Sequence, residues 1–262
     1  MIITYLGIFA IGMCVGMLST IFGLGGGIIM VPLLSLILPF SHLEAIATSL
    51  ATIIFVAGFN TYKFSRRKVI VWNIVPWIAV ASAIFAFISA RISTHLPEPV
   101  LISIFLLFLA YIAGRTFFIQ SKESEPHQPA HSRWLPLGIG TVSGMISGVT
   151  GIGGGGITTP MMLVSGLVKN IQAAPTSNAI MIYTALFGSI SFALSNHGLN
   201  GNMTLGYIHI DTAILLFLGS ASVSGIGVRL NHHIPLQWRK TVLGLLLVFI
   251  CIRLAFMLIN SI

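Results

Sequence analysis

Apolar residues run along this chain in blocks, and polar residues gather in short stretches between them. No Asp, Glu, Lys or Arg occurs from Met1 to Leu43, from Val69 to Ala90, from Trp134 to Val168, or from Asn170 to Ile210. An uncharged apolar run of about 18 or more residues reads as a membrane-spanning helix. The blocks resolve into segments near 4–22, 27–40, 43–62, 69–90 and 98–119, then 135–152, 155–168, 170–195, 205–228 and 236–260. Between the two sets lies the longest polar segment, SKESEPHQPAHSR (Ser121 to Arg133), which reads as a linker. The pattern predicts an all-α membrane protein.

The two sets are copies of one another. A shift of 128 positions aligns GMLSTIFGLGGG (Gly16 to Gly27) with GMISGVTGIGGG (Gly144 to Gly155), Pro32 with Pro160, and ATSLA (from Ala47) with PTSNA (from Pro175). Further on the shift becomes 138, so that Arg91 meets Arg229, His95 meets His233, Pro97 meets Pro235 and Arg115 meets Arg253. A ten-residue insertion around SNHGLNGNMT accounts for the change. The expected organisation is a first transmembrane repeat over 1–120, a polar cytoplasmic linker over 121–133 and a second repeat over 134–262.

Five segments per repeat is an odd number, so the second copy should enter the membrane upside down relative to the first. Positive charge tests this, because cytoplasmic loops collect Lys and Arg. The loop after the third segment carries Lys63, Arg66, Arg67 and Lys68, whereas its counterpart near 196–204 carries neither Lys nor Arg. Equivalent loops therefore lie on opposite sides. Threading all ten segments from this anchor places 11 of the 13 basic residues inside, with only Arg91 and Arg253 outside and both termini on the outer face. The fold expected is two inverted-topology repeats of five segments, set in the cell (inner) membrane.

Composition narrows the class. Only 7% of the 262 residues are charged and 56% are hydrophobic, against about 25% charged in an average soluble domain. A net charge of +8 would suggest nucleic acid in a soluble protein. In a membrane protein it is the basic loops that fix orientation, so no nucleic-acid partner is expected. Cys14 and Cys251 lie inside apolar segments at no metal-ligand spacing. The start MIITYLGIF has no basic n-region and reads as a first transmembrane helix, not a cleaved signal.

The second segment of each repeat is short. Ile28 to Phe40 and Gly156 to Val168 are 13 residues each, about 20 Å of helix against a hydrocarbon core of about 30 Å. The glycines before them must then lie at membrane depth. Non-helical backbone is tolerated there only when buried in protein or lining a polar cavity, and transporters with inverted repeats bind substrate at such breaks. Glycine permits positive φ and close approach of a ligand. A helix starting just after it presents unpaired N–H groups and the positive end of its dipole, which suits an anion. The candidate site is therefore Gly25, Gly26 and Gly27 facing Gly153, Gly154 and Gly155. The alternative is that these glycines only let helices pack closely.

A second matched pair is Thr48-Ser49 and Thr176-Ser177, extended by Asn178. Hydroxyls and an amide can hydrogen-bond an oxyanion without adding charge; the alternative is bonding back to their own helix. Ser19 and Ser147, also matched, rank behind them. Matched arginines near segment ends read as snorkelling to the interface. Glu44, Glu98 and Asp211 fall near outer segment ends, and His232-His233 lacks the i, i+4 spacing of a helical metal pair. No catalytic constellation, metal cluster or cofactor site is expected.

Two GxGGG phrases that each run on to a proline, in a chain of this length with a polar central linker, resemble the sulfite exporter TauE/SafE family of membrane transporters. The resemblance covers nearly the whole chain. It implies transport of small sulfur-containing anions: sulfite, thiosulfate, sulfoacetate and related organosulfonates. The second phrase departs from the first by an extra Gly156 and by Thr158 and Thr159, so the half-sites need not be equal.

The expected function is export of a small oxyanion by alternating access. With the interior negative, each negative charge leaving gains about 2.3 kcal/mol per 100 mV. Ion-coupled import of a sulfur anion is the alternative. An intramembrane enzyme or a scaffold without transport is disfavoured by the missing nucleophile and base. The expected partners are the anion and the lipid bilayer, with a homo-oligomer left open.

Overall fold

The computed structural model describes residues 2–22, 26–38, 40–118, 133–195, 203–233 and 236–260. It is all-helical apart from one short hairpin. The first half carries α1 (Ile2–Phe22), α2 (Gly27–Ile37), α3 (His42–Arg66), α4 (Val75–Ser93) and α5 (Glu98–Phe118). The second carries α6 (Trp134–Thr150), α7 (Gly155–Val164), α8 (Asn170–Ala193), α9 (Ile210–His233) and α10 (Leu236–Asn260). Between α8 and α9, β1 (Thr204–Leu205) pairs antiparallel with β2 (Ile208–His209). The linker 121–132 and most of the insertion lie outside the described residues.

Local chemistry explains several boundaries. α3 starts in a capping box: the Glu44 amide donates to Ser41 Oγ at 3.3 Å, and the Ser41 amide donates to Glu44 Oε2 at 2.8 Å. That reciprocal pairing satisfies two amides that a helix start leaves free. α4 starts with Pro76 in its first turn, where a missing N–H costs nothing. The blocks at 69–90 and 205–228 begin as helix only at Val75 and Ile210. Their first residues are apolar because they are packed inward, with Ile70 and Ile208 both buried, and not because they are helical.

α2 and α7 are 11 and 10 residues long, about 15 Å each and half of a hydrocarbon core. Among the described residues, α3 and α4 are long and apolar enough to cross a membrane singly. Leu107, Tyr111, Phe249, Ile252 and Phe256 are exposed, an apolar exterior suited to lipid.

α3 crosses α8 at the centre, with α2 seated on α3 and α7 on α8. Around them α1 packs along α9, α4 along α6 and α5 against α10. One apolar core runs through both halves, from Ile28, Val31 and Leu34 through Ile46, Leu50 and Phe105 to Ile152, Met181 and Leu216.

Glycines set the two long helix contacts. A Cβ on Gly12 of α1 would stand 2.6 Å from the Leu216 carbonyl oxygen, and one on Gly16 2.5 Å from Ser220 Cα. In α6, Gly140 lies against the Ile78 carbonyl, and a Cβ on Gly144 would stand 2.8 Å from Ser82 Cα. The glycines in the two contacts are 128 positions apart and their partners 138, the two shifts present in the sequence. For these glycines, close packing is the whole explanation.

Candidate functional site

The glycine just before each short helix adopts a positive φ. Gly26 (φ 80°) caps α2 and Gly154 (φ 84°) caps α7, both in a region that strongly favours glycine. The Gly26 carbonyl accepts from the Ile29 and Met30 amides at 3.1 and 2.9 Å. The Gly154 carbonyl accepts from Ile157 and Thr158 at 3.0 and 2.9 Å. A helix start leaves its first amides without intrahelical partners.

The phrases also touch. A Cβ on Gly27 would stand 2.7 Å from Ile152 Cα and 2.9 Å from the Gly151 carbonyl oxygen. Gly151 (φ 72°) closes α6, its amide donating to the Ser147 carbonyl at 2.8 Å, and Gly153 (φ 77°) turns the chain again. Gly25 and the side chain of Ser19 lie outside the described residues.

The matched threonines reach across the halves. Thr48 Oγ1 accepts the His209 amide at 3.2 Å, and Thr176 Oγ1 accepts the Val71 amide at 3.1 Å. Each threonine thus holds the segment leading into α9 or α4 of the other half. The serines beside them differ. Ser49 Oγ donates to the Gly151 carbonyl at 3.0 Å, whereas Ser177 Oγ is buried with no partner among the described residues. Asn178 Nδ2 donates to its own helix at Ala174 O (2.8 Å), and Asn178 Oδ1 accepts from Asn60 Nδ2 at 3.4 Å. Asn60 has no counterpart amide in the second copy, where Gly188 stands, so the repeat gives no signal for it.

The sulfite exporter TauE/SafE model matches residues 8–254. The chain belongs to that family. It is 30% identical over 243 residues to a probable membrane transporter protein of Haemophilus influenzae, covering 87% of this chain and 88% of the relative. A second such protein from that organism is 27% identical over 93% of this chain and 95% of its own length. One from Methanocaldococcus jannaschii is 24% identical over 90% of each. No solved structure matches the chain. Family and relatives make this a membrane transporter of the TauE/SafE type.

Several ionisable residues of this TauE/SafE protein have named partners among the described residues. His209 Nε2 lies 3.4 Å from Glu44 Oε1, and its ring stacks on Phe40 with centroids 4.2 Å apart. The His42 ring is buried edge-on against Phe105, and its amide donates to Glu98 Oε1 at 2.6 Å. Arg91 donates to Ser195 Oγ at 3.1 Å. Among the described residues no group of three His, Cys, Asp or Glu is placed to hold a metal. A cavity of about 780 Å³ opens between α5, α6 and α7, walled by Leu107, Phe108, Ile139 and Ile157. Its apolar walls offer an oxyanion little.

Proposed function

We propose that this transporter carries a small oxyanion, sulfite or a related organosulfur anion, outward by alternating access between two inverted repeats spanning 1–120 and 134–262. One observation carries the reading: two glycine-capped helix starts meet in the protein interior, Gly27 against Gly151 and Ile152. Their amides and dipoles favour negative charge where backbone would otherwise be costly to bury. Ser49 donates to the Gly151 carbonyl at that meeting point, and the reading assigns Thr48, Thr176, Ser177 and Asn178 to the anion as further uncharged hydrogen-bonding groups.

The inverted arrangement is supported by contacts that exchange when the halves are swapped: α1 with α9 for α6 with α4, and α2 with α3 for α7 with α8. The threonine contacts exchange likewise, Thr48 with His209 for Thr176 with Val71. By the positive-inside rule the Val71 contact faces the cytoplasm and the His209 contact the outside. Rocking of the halves would release one threonine while the other holds.

A thermal-stability titration with sulfite, thiosulfate and sulfoacetate tests substrate binding, since a ligand of the folded state raises its apparent stability. We expect sulfite to raise Tm, and voltage alone to drive its efflux from proteoliposomes. A flat response to every sulfur anion overturns the reading. Coupled import draws on the titratable Glu44–His209 pair beside Thr48; flux that needs a pH gradient would favour it.

A further inference from the structure

The two half-sites have different walls. Within the second phrase most glycines are there because something crowds them. A Cβ on Gly151 would meet Ile46 Cα at 2.8 Å, on Gly153 Ile53 Cγ2 at 2.9 Å, and on Gly155 Met181 Sδ at 2.5 Å. Gly154 differs. A Cβ there would stand 3.6 Å from the Ser143 carbonyl oxygen, 3.6 Å from Thr184 Cγ2 and 3.7 Å from Thr158 Oγ1, all ordinary contacts. The cap of α7 would thus accept a Cβ at ordinary contact distance, with Ser143, Thr158 and Thr184 beside it.

Those residues come from separate elements. Ser82 belongs to α4, Ser143 to α6, Thr158 to α7 and Thr184 to α8, and each is at most 1% exposed. Thr184 Oγ1 donates to Ser82 Oγ at 2.8 Å, and Ser82 Oγ to the Ala79 carbonyl at 3.1 Å. Thr158 Oγ1 donates to the Gly154 carbonyl at 2.9 Å. These bonds alone would suit plain packing.

Ser147 is the independent sign. Its Oγ is buried, 1% exposed, and has no hydrogen-bond partner among the described residues. It lies one turn beyond Ser143 on α6. The Ser143 carbonyl that abuts Gly154 is the acceptor an α-helix assigns to the Ser147 amide. The orphan hydroxyl therefore belongs to the turn of α6 facing the α7 cap. A buried hydroxyl without a partner costs free energy unless a ligand or water satisfies it.

At the first phrase the corresponding positions keep only part of this chemistry. Ser143 becomes Val15, Thr158 becomes Met30 and Thr184 becomes Val56, while Ser147 and Ser82 keep serines, Ser19 and Ser220. Gly156 becomes Ile28, whose Cδ1 lies 3.0 Å from where a Cβ on Gly156 would be. The α2 start thus leans the Ile28 side chain over the α7 start.

We infer that the oxyanion is bound on one side, at the N-terminus of α7, by the Gly154–Gly156 amides and the hydroxyls of Ser147, Thr184 and Ser82. This rests on the oxyanion-transport reading and assigns the ligand within it. The donors are all neutral. Several acceptor oxygens let one ligand meet hydroxyls from α4, α6 and α8 and amides from α7 together, which a halide cannot match. Hydroxyl hydrogens rotate, so Thr184 and Ser82 can turn from their present acceptors toward the anion.

The test is titration of the purified full chain in nanodiscs with sulfite, followed by thermal stability, with chloride as comparison. Ser147→Ala removes a hydroxyl with no partner among the described residues, so it should fold with unchanged Tm in the absence of anion. We expect it to weaken sulfite binding about 10-fold, and Thr184→Val to do likewise, with Thr184→Ser restoring it. Ser220→Ala, in the other half, should titrate within about 2-fold of wild type. Should Thr184→Val not fold, Ser147→Ala and the Ser220→Ala comparison still decide. Wild-type sulfite binding with Ser147→Ala and Ser82→Ala both unchanged overturns the one-sided site and leaves transport standing. No sulfite response and no sulfite flux in the wild type overturns the transport reading itself, and this inference with it.

Discussion

At Gly26 and at Gly154 the chain turns with φ of 80° and 84°, and in each case the glycine carbonyl receives the amides three and four residues on. The backbone of the two helix starts is therefore the same. Their surroundings differ in part: Ser143, Thr158 and Thr184 stand beside Gly154 and match Val15, Met30 and Val56, whereas Ser147 and Ser82 match Ser19 and Ser220. Two matched phrases can share a turn while differing in the side chains around it. Backbone geometry follows from glycine and helix length, whereas chemistry depends on which neighbours close around it.

Substitutions at the phrases should separate these roles most sharply. Gly27→Val would drive a side chain into the backbone of Gly151 and Ile152. We expect loss of the folded protein, seen as aggregation on size exclusion; a monodisperse variant with wild-type Tm would refute the contact. Gly154→Ala meets no such wall. It should cost only the strain of positive φ, about 1–2 kcal/mol, and leave a folded protein that no longer moves sulfite.

Packing glycines should respond alike in both halves. Gly16→Ala and Gly144→Ala each overfill a helix contact of the same kind, with an expected loss of about 1–3 kcal/mol by denaturation. A large difference between them would break the equivalence of the α1–α9 and α4–α6 contacts.

The threonines come next. Thr48→Val strands the His209 amide and Thr176→Val the Val71 amide, each expected to cost about 1–3 kcal/mol if the amide stays buried. Their effects on access should be opposite: cysteine labelling of the transport path should rise from the outside in Thr48→Val and from the cytoplasm in Thr176→Val. The neighbouring serines should diverge. Ser49→Ala loses its bond to the Gly151 carbonyl, worth about 1 kcal/mol. Ser177→Ala loses no bond among the described residues and should leave Tm unchanged.

Glu44→Gln is the smallest step. The glutamine keeps the capping box with Ser41 and removes the charge facing His209. For a partly exposed pair the expected change is within about 1 kcal/mol. A larger shift in Tm would mark the outer threonine contact as electrostatically held, with no equivalent at Val71.

Much of the fold was legible. The block at 43–62 is α3, 98–119 is α5 and 236–260 is α10, each with ends within a few residues, because long apolar runs with charges only near their ends have few alternatives in a membrane. The apolar stretches before α4 and α9 were not legible as loops. Hydropathy reports burial, and Ile70 and Ile208 are buried without being helical. The hairpin at Thr204–His209 is held by Thr48, a partner 161 positions from His209, and local pattern carries no trace of it.

The sequence by itself determined the helices, the two shifts of 128 and 138, and the shortness of α2 and α7. These follow from periodicity, length and charge, which act along the chain. Only the tertiary structure decided that Ser49 is committed to Gly151 while Ser177 is not, and that Ser143, Thr158 and Thr184 meet at Gly154 with Ser82 bonded to Thr184. Those residues lie on α4, α6, α7 and α8, and nothing short of packing the helices brings them to one place. The phrase GIGGGGITTP marked where to look, and its neighbours in space settle what chemistry it can do.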